Sequence, residues 1–170
     1  MDLEKKLRHV PDFPKEGIDF IDITTVLEDA DAFQEVIDKM LESVSDLEFT
    51  KIVGSESRGF IFGAPLAYAS HTGFVPVRKP NHLPAETISY DYDLEYGSNT
   101  LEIHKDSIEP GEKVLVVDDL LATGGTAHAC SKLVEQLGGE VVACAFFIEL
   151  TDLDGREQLK DYRVETLVDL

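Results

Sequence analysis

Between Lys113 and Thr126 the chain passes from an apolar run, Lys113 to Val117, through two adjacent acids, Asp118 and Asp119, into Leu120-Leu121-Ala122-Thr123-Gly124-Gly125-Thr126. An uninterrupted apolar run of this length is the mark of a strand buried on both faces, and such strands occur in parallel sheets covered by helices. Ala127 to Leu137 then takes up a helical period that ends at Gly138-Gly139. Strand, glycine loop and helix in that order place the loop at the carboxyl end of a parallel strand and the amino end of a helix. Open α/β sheets hold their ligands there.

The rest of the pattern agrees with an α/β reading. Phe33, Val36, Ile37, Met40, Leu41 and Val44 recur at helical spacing, with Asp31 placed to cap the first turn. Lys51 to Gly54 reads as a short strand, Arg58 to Ser70 as a helix interrupted by glycine, and Phe74 to Arg78 as a strand ending in cations. Ile88 to Tyr92 and Thr100 to His104 flank a turn-rich Glu95-Tyr96-Gly97-Ser98-Asn99, which predicts an antiparallel hairpin or flap outside the parallel sheet. Val141 to Ile148 supplies a further core strand. With no internal repeat and no Pro/Gly/Ser-rich linker, the expectation is one α/β domain over residues 1–170.

Composition narrows the function. Thirty-four acids against 15 bases give a formal charge of -19, which repels a phosphate backbone and argues against nucleic acid as partner. An anion site in such a chain has to be built locally, from backbone N–H groups and a few cations. Cys130 and Cys144, the two cysteines, lack any metal-ligand spacing and read as buried small hydrophobes in a reducing compartment. The start of the chain, Met1 to Arg8, is charged, and no apolar run approaches the ~20 residues a membrane span needs. The expected location is cytoplasmic, with no membrane partner.

The loop after the acids has the parts of a phosphomonoester cradle. Gly124 and Gly125 let the backbone approach an anion, N–H groups at the helix start donate to it, and Thr123 and Thr126 add hydroxyls. Two carboxylates beside a phosphate would repel it unless they bind sugar hydroxyls or a bridging magnesium ion. A ribose 5-phosphate satisfies both halves. An ordinary strand-to-helix loop, or a receiver-like domain whose acids hold magnesium for phosphorylation, shares the acids and the turn but leaves the other segments of the chain unexplained.

The string Val116 to Thr126 resembles the phosphoribosyl-diphosphate signature of the type I phosphoribosyltransferases. Phe13-Pro14-Lys15-Glu16-Gly17-Ile18-Asp19-Phe20-Ile21-Asp22-Ile23-Thr24 is similar to the N-terminal purine-binding segment of the adenine phosphoribosyltransferases, and Gly54-Ser55-Glu56-Ser57-Arg58-Gly59-Phe60 to their pyrophosphate loop. Arg78-Lys79-Pro80 resembles the second basic segment, Leu83 to Thr87 the opening of the flap, Asp93-Leu94-Glu95-Tyr96-Gly97 the stretch with the proposed acid/base glutamate, and Phe147 to Leu150 the closing core strand. The likeness runs from about Val10 to Arg156.

The resemblance implies a type I phosphoribosyltransferase fold: a central, mainly parallel twisted sheet flanked by helices, with a small hood over about residues 1–30 and an antiparallel flap over about 83–104. It implies that Ala122, Thr123, Gly124, Gly125 and Thr126 hold the 5-phosphate, and that Asp118 and Asp119 hold the ribose hydroxyls and magnesium. Ser57, Arg58, Gly59, Arg78 and Lys79 face the diphosphate, where an arginine fork binds oxygens bidentately. Ile18, Asp19, Phe20 and Ile21, with Leu120 and Leu121 opposite, bind the purine. Glu95 moves the purine proton and Tyr96 helps shut the flap. The implied substrates are adenine and 5-phosphoribosyl 1-diphosphate, the cofactor is Mg2+ carried mainly by substrate oxygens rather than a protein cage, and the assembly is a homodimer. Two positions depart from the family's usual pattern: Ile21 stands where a basic residue is frequent, and His82 where a lysine is common.

Overall fold

The computed structural model describes residues 1–93 and 97–170. Its backbone packs as two compact units, Met1–Lys39 and Met40–Leu170.

In the first unit, β1 (Arg8–Pro11) pairs antiparallel with β2 (Asp19–Asp22) in the register Arg8↔Asp22 to Pro11↔Asp19. Asp12 and Gly17 take positive φ in the connecting loop, and the Gly17 N–H donates to the Asp12 carboxylate at 2.9 Å. Phe13 stacks edge-on against Phe20, with centroids 5.2 Å apart. Asp22 accepts the Thr24 N–H at 2.9 Å and so opens α1 (Thr24–Leu27). The next helix, α2 (Ala30–Ser43), begins two residues past the opening of α1's exit turn, and its cap is Asp29 rather than Asp31. The Asp29 carboxylate accepts the N–H groups of Asp31 and Ala32 at 3.1 and 3.0 Å, while its carbonyl takes the first helical bond, from Phe33. Asp31 already lies in the first turn, where its own side chain has passed the geometry that capping needs.

The second unit is built on a five-stranded sheet in the order β4-β3-β7-β8-β9, all neighbours parallel: β3 (Lys51–Ser55), β4 (Gly73–Val77), β7 (Lys113–Leu121), β8 (Glu140–Glu149) and β9 (Val164–Asp169). Helices α3 (Arg58–Ser70) and α4 (Gly125–Gln136) connect β3 to β4 and β7 to β8. Side chains alternate across the sheet. Val53, Val114, Val116, Cys144 and Phe146 share a core cluster with Ala127, Cys130, Leu133 and Val134 of α4. On α3, Phe62 meets Phe147 of β8 at 5.7 Å between centroids. Both cysteines are buried and free, and burial pushes both thiols up, that of Cys144 to about 11.

The predicted hairpin is present as β5 (Thr87–Asp93) with β6 (Ser98–His104), a separate antiparallel pair joined to the end of β4 by an Arg78↔Glu102 bridge. In this second unit two further findings differ from the sequence reading. Strand β7 does not stop before the acids: it runs through Asp118 and Asp119 to Leu121, paired as Asp118↔Phe146, Leu120↔Ile148 and Leu121↔Glu149, because the long β8 keeps offering partners. A fifth strand, β9, and a short helix, α5 (Gly155–Gln158), complete the unit without a matching expectation.

Candidate active site

The chain moves outward from β3 to β4 on one side and from β7 through β8 to β9 on the other, so the strand order reverses between β3 and β7. A crevice opens at the carboxyl ends of strands at such a switch point. It is occupied here by a cavity of about 320 Å³ lined by Ser55, Glu56, Ser57, Arg58, residues 118–127 and Phe146. Two glycines bring its walls together. A Cβ on Gly54 would stand 2.9 Å from the Gly59 carbonyl oxygen, and one on Gly59 would stand 3.2 Å from Asp118 Oδ1. Gly54 thus lets the first turn of α3 close on β3, and Gly59 lets the same turn sit tightly against the end of β7. The Glu56–Ser57 peptide between them is cis.

The acids are held differently. Asp118 accepts a hydrogen bond from Ser55 Oγ at 3.1 Å and one from the Asp119 N–H at 2.8 Å. Desolvation first, then the charge of Asp119, pushes the Asp118 carboxyl well above the ordinary carboxylate range. Asp119, 5% exposed, receives Arg58 Nε on Oδ2 at 2.6 Å. The two acids thus sit in unlike settings, Asp118 held by Ser55 and the Asp119 N–H and Asp119 ion-paired with Arg58, and between them they bring carboxyl oxygens to a place where vicinal hydroxyls can donate.

Beyond the acids, Ala122, Thr123, Gly124, Gly125 and Thr126 turn into α4 with Gly124 at φ +88° and its N–H groups at a helix start, the geometry that binds anions. The hairpin leans on this turn. Tyr92 Oη lies 3.3 Å from Thr126 Oγ1, and a Cβ on Gly125 would touch the Tyr92 ring at 3.4 Å. Tyr90 meets the ring of His128 edge-on at 6.1 Å, and burial lowers that imidazole below its ordinary value.

Of the residues singled out from sequence, Ser57, Arg58, Asp118, Asp119, Leu120, Leu121 and 122–126 line one cavity. Gly59 sits behind it as a spacer. The strand alternation separates the two leucines: Leu121, 1% exposed, joins the core cluster, whereas Leu120 stays half-buried. Arg78 and Lys79 are gathered by Glu56, which lines the cavity. Its Oε1 accepts the Lys79 N–H at 2.8 Å, lies 3.1 Å from His82 Nδ1 and forms an ion pair with Arg78 Nε at 3.3 Å. Burial works to raise the Glu56 carboxyl, but the His82 and Lys79 hydrogen bonds and the Arg78 charge outweigh it and hold it below the ordinary value. Ile18, Asp19, Phe20 and Ile21 belong to the first unit, where Asp19 pairs with His9 at 2.8 Å, Phe20 is half-buried against Phe13 and Ile18 is 37% exposed. Glu95 and Tyr96 lie outside the described residues. Sequence reasoning gave no role to Phe146, Tyr92 or Glu56's gathering of the basic segment. An apolar strand residue and an alternating tyrosine carry no local sign of a ligand.

The surroundings of this cavity have close counterparts. A family model, the phosphoribosyl transferase domain, matches residues 24–169. The adenine phosphoribosyltransferase of Acetivibrio thermocellus is 62% identical over 169 residues, covering 99% of each chain. Among solved structures, the adenine phosphoribosyltransferase of Thermoanaerobacter pseudethanolicus superposes with a TM-score of 0.97 at 53% identity, over 99% of this chain and 98% of that one. The Saccharomyces cerevisiae enzyme, complexed with D-2,5-dideoxy-2,5-imino-altritol 1,6-bisphosphate and adenine, gives 0.90 at 42% identity over 96% and 94% of the two chains. Likeness of this order, extending from the N-terminal strands through the last strand of the sheet, makes the chain a member of the adenine phosphoribosyltransferase family.

Proposed function

We propose that the chain transfers the 5-phosphoribosyl group of 5-phosphoribosyl 1-diphosphate to adenine, giving AMP and diphosphate. The observation that carries this reading is the cavity at the β3/β7 switch point, where two unlike carboxylates adjoin a glycine loop at a helix start. The choice of adenine is supported by the whole-chain likeness to adenine phosphoribosyltransferases and by the adenine in the yeast complex.

In this account the N–H groups and hydroxyls of residues 122–126 receive the 5-phosphate, and Asp118 and Asp119 take the ribose hydroxyls. A ring nitrogen of adenine attacks C1′, the bond from C1′ to the diphosphate oxygen breaks with its electron pair leaving on the diphosphate, and the purine gives up one proton. Arg58 faces the departing charge while Nε stays on Asp119, and Arg78 and Lys79 stand on the segment that Glu56 gathers. Positioning and electrostatics supply most of such a rate. Glu95 is the group assigned to the purine proton, and Phe20 with the backbone of Ile18 to Ile21 is assigned to the base. Residues 83–104, as the flap, exclude water from the activated sugar.

Two adjacent carboxylates are the donor set that suits magnesium arriving on a diphosphate, since that ion binds through one or two carboxylates together with substrate oxygens. When bound, the ion neutralises diphosphate charge; Asp118 and Asp119 are the residues that would hold it. Among the described residues no helix is long and apolar enough to cross a membrane. We place the chain in the cytoplasm as a homodimer, the assembly that the family resemblance implies.

The test offers adenine, hypoxanthine and guanine separately with phosphoribosyl diphosphate and Mg2+, following nucleotide and diphosphate. Turnover of adenine alone is expected. Turnover of an oxopurine overturns the base assignment, and no turnover with any base overturns the catalytic reading.

A further inference from the structure

The phosphate loop meshes with a second turn that the reaction scheme does not use. A Cβ on Gly124 would stand 2.5 Å from the Gly155 carbonyl oxygen and 2.9 Å from Gln158 Cβ. From the other side, a Cβ on Gly155 would overlap the Ala122 carbonyl oxygen and stand 2.8 Å from Leu121 Cδ1. Backbone therefore rests on backbone, and neither partner can swing aside as a side chain would. The position of α5 sets where the loop can sit.

What holds α5 is its second residue, Arg156. Its Nε donates to both carboxylate oxygens of Glu149, at 3.0 and 2.9 Å, and its Nη2 lies 2.9 Å from Glu149 Oε2. The same guanidinium donates to Thr166 Oγ1 at 3.3 Å and to the Val164 carbonyl at 3.4 Å, both on β9. Glu149, 5% exposed, is the last residue of β8, opposite Leu121 in the ladder, and the Leu150 N–H donates to the Leu121 carbonyl at 2.9 Å. One arginine thus ties the ends of β8 and β9 to the turn beneath the loop. The Glu149 carboxylate is buried while Arg156 stays half exposed; a pair that takes a carboxylate out of water contributes little net stability, and its best-attested use is to specify one arrangement among several.

We propose that Arg156, acting through Glu149 and Gly155, is a positioning residue for the 5-phosphate loop, and that the pair fixes the spacing of the loop N–H groups that receive the phosphate. This rests on the reading of residues 122–126 given above. Arg156→Lys keeps the charge but loses the planar fork, and Gly155→Ala pushes on the Ala122 carbonyl directly. Each variant is compared with the parent by calorimetric titration with ribose 5-phosphate, by KM for phosphoribosyl diphosphate and for adenine, and by thermal melting. Both variants are expected to weaken ribose 5-phosphate and raise KM for the diphosphate substrate by about tenfold or more, toward the ~10²-fold that a misplacement near 1 Å can cost. KM for adenine stays within about twofold. A purely structural role lowers the melting temperature while leaving ribose 5-phosphate affinity per folded molecule unchanged, or moves both KM values together; either result overturns the proposal. If the parent protein does not bind ribose 5-phosphate, the assignment of the loop itself falls, whereas a parent that binds it but ignores adenine loses only the base.

Discussion

Replacing Gly124 by alanine isolates the geometry of the phosphate loop. Gly124 has φ +88°, and its Cβ would stand 2.5 Å from a backbone carbonyl oxygen. Left-handed backbone costs an L-residue about 1–2 kcal/mol, and an unrelieved core contact adds roughly 1–3 kcal/mol. Restoring an ordinary carbon–oxygen contact requires the loop to move by on the order of 1 Å, a displacement that can cost ~10²-fold in rate. At roughly 2–4 °C per kcal/mol for a domain of this size, the melting temperature should fall by about 5–15 °C. Gly111→Ala is the control, since Gly111 has φ +82° but nothing within 4 Å of its Cβ. It should lose only the backbone cost, about 1–2 kcal/mol, and keep full activity. Melting curves and kcat/KM for phosphoribosyl diphosphate on both variants decide the matter. Equal losses of activity in the two, or an unchanged KM in Gly124→Ala, would refute the argument that steric placement of this loop governs phosphate binding.

Asp118→Asn should stabilise the free protein at neutral pH while weakening phosphoribosyl diphosphate. Because the folded-state carboxyl titrates well above 3.8, its ordinary value, the wild type loses stability as pH rises from that value toward the folded one and not beyond. The advantage of the asparagine in urea midpoint should therefore be present at pH 7 and vanish below pH ~4. Arg58→Lys removes the Nε contact to Asp119 at 2.6 Å; with that side chain half exposed, the expected readout is KM for phosphoribosyl diphosphate raised by about tenfold, adenine unaffected, and little change in melting. Glu95→Gln should lower kcat by roughly 10²–10⁴-fold and remove one limb of the pH–rate profile, with KM for phosphoribosyl diphosphate retained.

The parts of the fold that local pattern could show were those where one period dominates. Arg58–Ser70 reads as a helix in both descriptions, and the hairpin and the core strands other than β7 differ from expectation by a residue or two at their ends. Asp118 and Asp119 look like a strand terminus in isolation, since charge seldom continues a buried strand; only the ten-residue β8 alongside explains why pairing reaches Leu121. Arg8–Pro11 and Asp19–Asp22 carry charges and a proline, so no period marks them as strands. Val164–Asp169 is half-buried at the sheet edge, and its apolar residues are too few and too diluted to stand out. At the site, the cradle was legible because phosphate binding needs glycines, hydroxyls and a helix start in one short stretch. Glu56 collecting Arg78, Lys79 and His82, and Arg156 holding α5 under the loop, depend on residues distant in sequence. No local pattern encodes contacts of that kind.

The placement of substrate rests on residues 118–126, and crystals of the protein grown with AMP test it most directly. The account predicts phosphate oxygens within about 2.7–3.2 Å of the N–H groups of residues 123–126, with the ribose hydroxyls on Asp118 and Asp119. A nucleotide phosphate bound elsewhere, or a ribose turned away from both acids, would contradict it.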